Sequence, residues 1–496
     1  MRLDELVKPL LIYEERGLSS VDITGIQTDS RKVESGDLFI ALRGFDTDGH
    51  QYIEQAVRNG ASAVVSEEEH SYGVASIRVP NSRRAMAVLA AHFYDYPSRD
   101  IKVIGITGTN GKTTTAHLVQ RILADAGQQT GLFGTNGIHI GEEIFPTANT
   151  TPDVEKLQQG LARMREVGCT YAVMEVSSHA LSLGRTHGCR YHTAVFTNLT
   201  QDHLDFHESM ESYRAAKGLL FAQLGNDYQE MKGNVPLAIL NRDDESSHYY
   251  EHITPAQVLT YAIDHEADVR ATDVRVTSEG TSFRLLTYEG TTDVHLQMVG
   301  KFSVYNALAA IAVTLREGVP LSSIVKSLQT VVGVDGRFER IEAPSHIPYT
   351  VLVDYAHTPD SLSNVLSTIQ GFAAGRVLCI IGCGGDRDRS KRPLMAQIAV
   401  HHSDVAIFTS DNPRSESPLS ILEDMVKGVH DSCKDHYHTI VDRREAIRTA
   451  MSLARAGDVI LIAGKGHETY QEVNGVRFDF DDRQVVREIW QGEEGM

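Results

Sequence analysis

Short apolar runs alternate with longer amphipathic stretches through the middle and last parts of the chain. The runs YAVMEV, TAVFTN and LAILN lie in the middle part, and RVLCIIG, VAIFTS and VILIAG lie in the last part. Runs of about four to eight apolar residues suit buried strands, and the stretches between them have the period of surface helices. We therefore predict an α/β fold in which mainly parallel sheets are covered by helices on both faces.

Two interruptions divide the 496-residue chain, which is too long for a single core, into three predicted domains. An alanine-rich, helix-like stretch over residues 83–93 stops at the proline turn of YDYPSRD, before the predicted strand IKVIGIT. Further along, Gly333 and Gly336 interrupt the chain after another helix-like stretch. The predicted domains are residues 1–98, 99–333 and 334–496. We expect a phosphate-loop type of parallel sheet with flanking helices in the central domain and a Rossmann-like C-terminal domain.

Charge and composition exclude several classes of protein. Lys and Arg number 47 against 66 Asp and Glu, and the net charge of −19 would repel nucleic acids and anionic membranes. The N-terminal stretch MRLDELVKPLLIYEERG is too charged for a signal peptide, and no apolar run reaches the roughly 18–20 residues of a membrane span. Five cysteines without paired spacing indicate reduced packing residues rather than disulfides or zinc ligands. We expect a cytoplasmic protein.

The stretch VIGITGTNGKTTTAHLVQ predicts a nucleotide site. A strand, a glycine-containing loop and Lys112-Thr113 at a helix start supply N–H groups, a positive helix end and an ammonium group for a polyphosphate. The Thr113 hydroxyl would reach magnesium, although Ile106 stands where the strict pattern has glycine. ATP is favoured over GTP because no separate NKxD sequence is present. The predicted ATP-binding residues of the loop are Gly108, Thr109, Asn110, Gly111, Lys112, Thr113 and Thr114.

Two strand ends downstream offer magnesium ligands. Glu175 ends YAVMEV, and His203 lies in TNLTQDHLDFH after the next strand. Taken singly, each residue is more often a solvated loop residue than a ligand. In parallel sheets, however, ligands bind beyond the carboxyl ends of the strands, and the two residues share that edge with a phosphate loop. We therefore predict that they serve phosphoryl transfer.

The order of motifs resembles that of Mur ligases from about Thr28 to Glu468. The motifs are GITGTNGKTTT, EVSSHAL, TNLTQDHLDFH, YRAAKGLLF, DYAHTPDSL, GCGGDRDRSKRP, DNPRSESP and AGKGHE. That family uses the looser TGTNGKT loop, which accounts for Ile106. The resemblance implies that ATP phosphorylates a carboxylate and that an amine then attacks the acyl phosphate. It further implies addition of meso-diaminopimelate to UDP-N-acetylmuramoyl-L-alanyl-D-glutamate in peptidoglycan precursor synthesis, by an enzyme that we expect to be a monomer.

The resemblance also implies the roles of individual residues. Lys217 of YRAAKGLLF matches a lysine that CO2 carbamylates and that then binds Mg²⁺ with Thr113, Glu175 and His203, although a lysine on an alanine-flanked helix is usually a surface residue. The implied catalytic residues are Lys112, Lys217, His203 and Glu175. Further ATP contacts would be Asn306, Arg337 and Asp354. The muramoyl nucleotide would contact Ser30, Thr150, Thr151, Ser177 and Arg185, and Leu183 stands where some relatives have glutamine. The amino acid would contact Arg387, Asp411, Asn412, Pro413, Arg414, Gly464 and Glu468.

The identity of the amine depends on DNPR. L-Lysine and meso-diaminopimelate differ by one distal carboxylate, and an arginine fork binds a carboxylate with two hydrogen bonds. Arg414 would therefore select diaminopimelate, while Glu468 meets the distal ammonium and Arg387 the carboxylate at the reacting end. Taken alone, this segment is more often an Asp-Asn-Pro turn with a solvated arginine.

Several alternatives stay open. The same ligase could use L-lysine, or the chain could be the Mur ligase of the following step, which has a similar DSR opening but lacks DNPR. A nucleotide-driven switch leaves DYAHTP and DNPR without a role, and ligases acting on folates lack the first predicted domain.

Overall fold

The structure is a computed structural model, and it describes residues 1–17, 21–44, 47–69, 72–147, 149–225 and 235–493. The chain forms two compact units. The first unit comprises residues 1–105, 127–194 and 219–237, and the second comprises residues 106–126, 195–218 and 238–496. Each unit is therefore assembled from segments that are distant in the sequence.

The strands and helices alternate along most of the chain. In residues 1–100 they are β1 (Glu14–Arg16), β2 (Gly25–Gln27), β3 (Asp37–Ile40), β4 (Ala63–Ser66), β5 (Ala75–Arg78), α1 (Leu3–Leu6), α2 (Ile53–Arg58) and α3 (Ser82–Phe93). The next strands are β6 (Lys102–Thr107), β7 (Thr130–Gly134), β8 (Gly137–Ile140), β9 (Glu143–Phe145), β10 (Tyr171–Glu175), β11 (Tyr191–Phe196), β12 (Leu237–Asn241), β13 (Gln257–Ala262), β14 (Val269–Thr277), β15 (Gly280–Thr287) and β16 (Gly290–Leu296). The helices among them are α4 (Lys112–Asp125), α5 (Val154–Glu166), α6 (Ser178–Ser182), α7 (Leu204–His207), α8 (Met210–Ala222), α9 (Ser246–Ile253), α10 (Lys301–Arg316) and α11 (Leu321–Thr330).

The C-terminal elements complete the list. The strands are β17 (Glu339–Ile341), β18 (Thr350–Asp354), β19 (Val377–Ile381), β20 (Val405–Phe408), β21 (Tyr437–Thr439), β22 (Val459–Ala463), β23 (Tyr470–Val473) and β24 (Val476–Asp479). The helices are α12 (Pro359–Gln370), α13 (Lys391–His402), α14 (Pro418–Val426), α15 (Arg443–Leu453) and α16 (Asp482–Glu493). Short 3₁₀ helices span Ser30–Lys32, Gly49–Tyr52, Pro97–Arg99 and Asp431–His436.

The first unit contains a sheet in the order β1-β5-β4-β3-β2, in which β2 to β5 are parallel and β1 is antiparallel to β5. In the same unit β10 pairs in parallel with β7, which continues antiparallel into β8 and β9. Helix α3 packs against α5. Parallel pairing dominates the first of these sheets, whose strands were not among the predicted apolar runs.

The second unit contains a sheet in the order β17-β18-β22-β19-β20-β21, which is parallel except for β17. Residues of β22 alternate between two cores: Leu461 packs in one core, and Ile460 and Ile462 pack in the other. A strand buried on both faces is a continuous apolar run, which is why VILIAG is legible in the sequence. In the same unit α4 packs against α10 and α11, and β14, β15 and β16 form an antiparallel meander. The α/β prediction is confirmed.

Within the described residues, we find no helix that combines the length and the apolar character needed to span a bilayer.

A buried ion pair joins α15 to α16 in the second unit. Arg443 Nε and Nη2 donate to the two carboxylate oxygens of Asp482 at 2.8 and 2.7 Å, and both side chains are fully buried. We expect Asp482→Asn to lower the free energy of unfolding by about 3–5 kcal/mol, because it leaves a buried guanidinium without its counter-charge. Urea denaturation, followed by the fluorescence of Trp490, measures this free energy. Trp490 lies on α16 and is buried in a core that α15 and α16 share.

The matched control is Glu488→Gln. Glu488 also joins α16 to α15, through Arg444 at 2.7 Å, but both side chains of that pair are solvated, so we expect a small change. Equal effects of the two variants would contradict the importance of the buried pair.

Candidate active site

The phosphate loop joins the end of β6 to the start of α4, as the sequence predicts. Gly108 has φ of +149° and Gly111 has φ of +84°, values that residues with a side chain rarely adopt. A Cβ at Gly108 would collide with the Thr197 hydroxyl, and one at Gly111 would collide with the Asn306 side chain. The two glycines therefore allow close packing of the loop, and Asn306, a predicted ATP contact, lies directly against it.

Two cations lie on this loop. Lys112 Nζ donates to the carbonyl oxygens of Gly108 and Thr109 at 2.9 and 2.8 Å. Arg337 Nη2 donates to Thr113 Oγ1 at 3.1 Å. The structure thus brings a predicted ATP contact, 224 residues away in sequence, to the hydroxyl that we predict to reach magnesium. Together the two side chains provide the positive charge that a polyphosphate requires.

Lys217 is buried beside the same loop, and this position was not evident from its alanine-flanked helix. Its side chain is 1% exposed, its Nζ donates to Gly108 O at 2.8 Å, and it lies 4.4 Å from the centre of the Tyr213 ring. Burial, reinforced by the charge of Lys112, holds the pKa of Lys217 well below its usual value. A lysine with a lowered pKa has a larger fraction of neutral amine, the form that reacts with CO2.

His203 lies next to a buried carboxylate that sequence reasoning missed. His203 Nε2 is 3.3 Å from Asp202 Oδ2, and Lys391 Nζ is 3.5 Å from Asp202 Oδ1. His357 Nε2 lies 3.7 Å from the same carboxylate. Burial alone would raise the pKa of Asp202, but the contact with His357 and the charges of His203 and Lys391 hold that pKa well below its usual value. A signal was present, because Asp202 directly precedes the predicted ligand.

A cavity of about 260 Å³ opens beside the phosphate loop in the second unit. This volume is close to the lower end of small-molecule sites, which are about 300–1,000 Å³. Its lining includes the predicted ATP contacts Asn110, Gly111, Thr114, Asn306, Arg337 and Asp354, together with the apolar Phe302 and Val365. Asp360, which was not predicted, also lines it and accepts a hydrogen bond from Asn110 Nδ2 at 3.1 Å. The cavity therefore offers polar groups and an apolar surface to a nucleoside.

Asp354 lines this cavity and holds two backbone segments together. Its carboxylate accepts hydrogen bonds from the backbone N–H of Phe338 at 2.6 Å and of Ala356 at 2.7 Å. Burial raises the pKa of Asp354, and the nearby Arg337 charge opposes that shift. The Arg337 guanidinium lies over the Tyr355 ring, 4.5 Å from its centre. This contact and the hydrogen bond to Thr113 hold the guanidinium in place.

Glu175, Thr150, Thr151 and Ser177 come together in the first unit. Glu175 is fully buried, and its Oε1 accepts a hydrogen bond from the Thr135 N–H at 2.8 Å. Thr135 Oγ1 also donates to Thr150 Oγ1 at 3.2 Å. Thr151 Oγ1 donates to Glu175 O at 2.8 Å and accepts from the Ser177 N–H at 3.0 Å. The hydroxyl groups predicted for the muramoyl substrate thus form one cluster with a predicted metal ligand, through Thr135, which was not predicted.

The other two predicted contacts of the muramoyl nucleotide also lie in the first unit. Arg185 Nε forms an ion pair with Asp153 at 2.9 Å. Ser30 is buried, and its Oγ donates to Gln55 Oε1 at 3.0 Å. The Ser30 hydroxyl therefore bonds to helix α2, and its role as a ligand contact remains a prediction.

The predicted amino-acid contacts lie in the second unit, on loops after β19, β20 and β22. Asn412 is 2% exposed, and its Nδ2 donates to Glu468 Oε2 at 2.8 Å. Arg414 has φ of +52°, and its backbone N–H donates to Glu472 O at 3.0 Å on β23. The Asp411 carboxylate accepts the Asn412 N–H at 2.6 Å. The DNPR segment is therefore held by the β23–β24 hairpin, which the sequence analysis did not identify.

Arg387 and Arg414 both lie close to Gly384. A Cβ on Gly384 would lie 2.9 Å from Arg414 Nη1 and 3.8 Å from Arg387 Cγ. Desolvation and the charge of Arg414 lower the pKa of Arg387. Two neighbouring guanidinium groups attract carboxylates, which suits an amino acid with two of them.

The fold and these loops define a phosphate-loop α/β protein. Residues 22–94 match the catalytic domain of the Mur ligase family, residues 106–314 match the Mur ligase middle domain, and residues 336–466 match the Mur ligase glutamate ligase domain. The chain belongs to the Mur ligase family.

Relatives that match nearly the whole chain are about half identical to it in sequence. The chain is 51% identical over 487 residues to the UDP-N-acetylmuramoyl-L-alanyl-D-glutamate–2,6-diaminopimelate ligase of Bacillus velezensis, with 98% of each chain covered. It is 49% identical to the enzyme of the same name from Listeria monocytogenes, again over 98% of each chain. A solved structure with that name is 36% identical, covers 95% of both chains and superposes with a TM-score of 0.64. A folylpolyglutamate synthase from Mycobacterium tuberculosis shares the fold at 18% identity, with a TM-score of 0.62 over 77% of this chain and 92% of its own.

Proposed function

We propose that this protein is an ATP-dependent ligase that joins meso-diaminopimelate to UDP-N-acetylmuramoyl-L-alanyl-D-glutamate in peptidoglycan precursor synthesis. The single observation that carries the proposal is that one compact unit contains the phosphate loop, the buried Lys217 and the Arg387–Arg414 pair. Relatives at about half identity over the full chain carry the corresponding enzyme name, which supports the choice of substrates.

The reaction has two steps. A carboxylate oxygen of the muramoyl dipeptide attacks the terminal phosphorus of ATP, which gives an acyl phosphate and ADP. The amine of diaminopimelate then attacks the acyl carbon, a C–N bond forms, the amine loses a proton and inorganic phosphate leaves. A free carboxylate is a poor acyl donor, and the first step converts its oxygen into a leaving group.

The residues of the phosphate loop would hold the nucleotide during the first step. Lys112 and Arg337 provide positive charge near the loop, and its N–H groups and the start of α4 favour an anion. The cavity bounded by Asn306 and Asp354 would accept the nucleoside. Because two anionic substrates must meet, most of the catalytic effect would come from positioning and fixed charge.

Thr113, His203 and a carbamate on Lys217, all in the second unit, are proposed to hold Mg²⁺, and Glu175 of the first unit stays a predicted ligand. The oxygen donors fit, since hydroxyl, carboxylate and carbamate oxygens are the hard donors that this ion prefers, whereas His203 offers a softer imidazole nitrogen. When bound, Mg²⁺ would neutralise phosphate charge. Lys217 can acquire its carbamate because its buried amine attacks CO2 and releases a proton, which replaces a cation with an anion.

Ser30, Thr150, Thr151, Ser177 and Arg185 are proposed to hold the muramoyl nucleotide in the first unit. Arg387 and Arg414 are proposed to bind the two carboxylates of diaminopimelate, with Glu468 on its distal ammonium. Asp411, Pro413 and Gly464 would shape the same pocket. The domain boundaries after residues 98 and 333, the cytoplasmic location and the monomeric state remain predictions from the sequence.

Isotope transfer tests the acyl-phosphate step. With ¹⁸O in the glutamyl carboxylates of the dipeptide, we expect the phosphate released during turnover to contain one ¹⁸O atom. Release of unlabelled phosphate during product formation would refute the acyl phosphate, and ATP hydrolysis without any product would favour a nucleotide switch.

A further inference from the structure

The loop that contains the predicted contacts Gly464 and Glu468 also contains a lysine without an assigned role. Lys465 of AGKGHE has a fully buried side chain. Its Nζ donates to Asn412 Oδ1 at 3.1 Å and to Glu468 Oε2 at 3.1 Å. It also lies 5.5 Å from the centre of the Tyr470 ring. Burying an ammonium group without hydrogen-bond acceptors is costly, and the oxygens of Asn412 and Glu468 offset that cost.

The Asn412 amide is occupied by the same network. Its Oδ1 accepts from Lys465 and from the Glu472 N–H at 3.0 Å, while its Nδ2 donates to Glu468. Asn412 is thus attached to Glu468, to Lys465 and to the backbone of β23. In this arrangement Oδ1 and one N–H of Nδ2 orient other protein groups.

Both donors converge on one oxygen of Glu468. Oε2 accepts Asn412 Nδ2 at 2.8 Å and Lys465 Nζ at 3.1 Å, so the network does not require Oε1. The Glu468 side chain is 16% exposed, whereas that of Lys465 is not exposed at all. The Glu468 side chain is therefore partly accessible, whereas the Lys465 side chain is not.

We propose that Lys465 is a positioning residue for amine recognition: with Asn412, it fixes the Glu468 carboxylate so that Glu468 accepts the distal ammonium of the incoming amino acid. This inference rests on the proposed function. Lys465 holds the Glu468 carboxylate in place before the ligand arrives, so less side-chain freedom is lost at binding. Lys465 itself touches no substrate.

The test compares two amino acids that differ only in the distal ammonium. KM values for meso-diaminopimelate and 2-aminopimelate are measured for the unaltered enzyme and for Lys465→Met, with ATP as a third substrate. We expect the KM for diaminopimelate to rise about 10- to 100-fold, by analogy with the loss when hydrogen-bond partners of metal ligands are removed. The KM values for 2-aminopimelate and ATP should change little, because neither ligand uses Glu468.

A double-mutant cycle makes the test specific to this contact. In a Glu468→Gln background, Lys465→Met should add much less than it does in the unaltered enzyme. Lys427→Met is the matched control, since Lys427 also pairs with a carboxylate three residues away, Asp424, but on the surface. That variant should keep all three KM values.

The possible outcomes distinguish a failure of the inference from a failure of the proposed function. Equal increases in KM for diaminopimelate and 2-aminopimelate would show a merely structural role and overturn the inference alone. If the unaltered protein shows no diaminopimelate-dependent ADP release, the proposed function fails and the inference with it. If Lys465→Met does not fold, Lys465→Gln keeps two N–H donors without the charge, and the ratio of the two KM values is evaluated in the same way.

Discussion

Lys217→Ala is expected to lose at least about 100-fold in ligase activity and to regain part of it when short carboxylic acids are added, because the variant lacks the carbamate oxygens that we propose for Mg²⁺. The side chain is 1% exposed and lies against Gly108 of the phosphate loop. Steady-state ADP release with and without added acetate measures both effects. An Ala variant with full activity would refute the role of Lys217.

The carbamate has a signature that is independent of activity. The unaltered protein in ¹³C-bicarbonate should show a carbamate carbon signal by NMR, and Lys217→Met should not. Lys326→Ala serves as the matched control, because Lys326 is an exposed lysine on helix α11 and its loss should change neither measurement. A carbamate signal that persists in Lys217→Met would assign the modification to another residue.

Arg414→Ala is expected to raise the KM for meso-diaminopimelate far more than the KM for ATP. A buried carboxylate without its cation costs on the order of 3 to 5 kcal/mol, which corresponds to more than about 100-fold in binding. L-Lysine lacks that carboxylate, so the preference for diaminopimelate over lysine should decrease in the variant. Full kinetics with each amino acid measure this preference as a ratio of kcat/KM values.

The matched control lies on the loop after β19. Arg389 is a largely solvated arginine that pairs with Asp424 at 3.1 Å, and Arg389→Ala should leave the preference unchanged. If Arg414→Ala keeps the preference of the unaltered enzyme, another group must recognise the distal carboxylate.

Buried parallel strands could be read from the sequence. YAVMEV contains β10, VAIFTS contains β20 and VILIAG contains β22, because strands covered on both faces are continuous apolar runs. The antiparallel β14, β15 and β16 were not predicted, since their exposed residues interrupt the apolar pattern. The β23–β24 hairpin was not predicted for the same reason.

Site residues could be predicted from the sequence where they belong to one short motif. The phosphate loop has a strand, glycines and a helix start within one short segment, so its conformation follows from neighbours in sequence. Lys217 was identified only through resemblance, because its burial depends on tertiary packing. The contacts of Asp202 with Lys391 and of Asn110 with Asp360 join residues 189 and 250 positions apart, and no local pattern reports such pairs.

The most direct test of the proposed function is phosphate release by the purified protein with ATP, Mg²⁺ and UDP-N-acetylmuramoyl-L-alanyl-D-glutamate, to which single amino acids are added. We expect meso-diaminopimelate to trigger release with one phosphate for each tripeptide nucleotide formed, and L-lysine at the same concentration to trigger little. Equal use of L-lysine would contradict the assigned amine, and phosphate release that is independent of any amino acid would contradict the ligase itself.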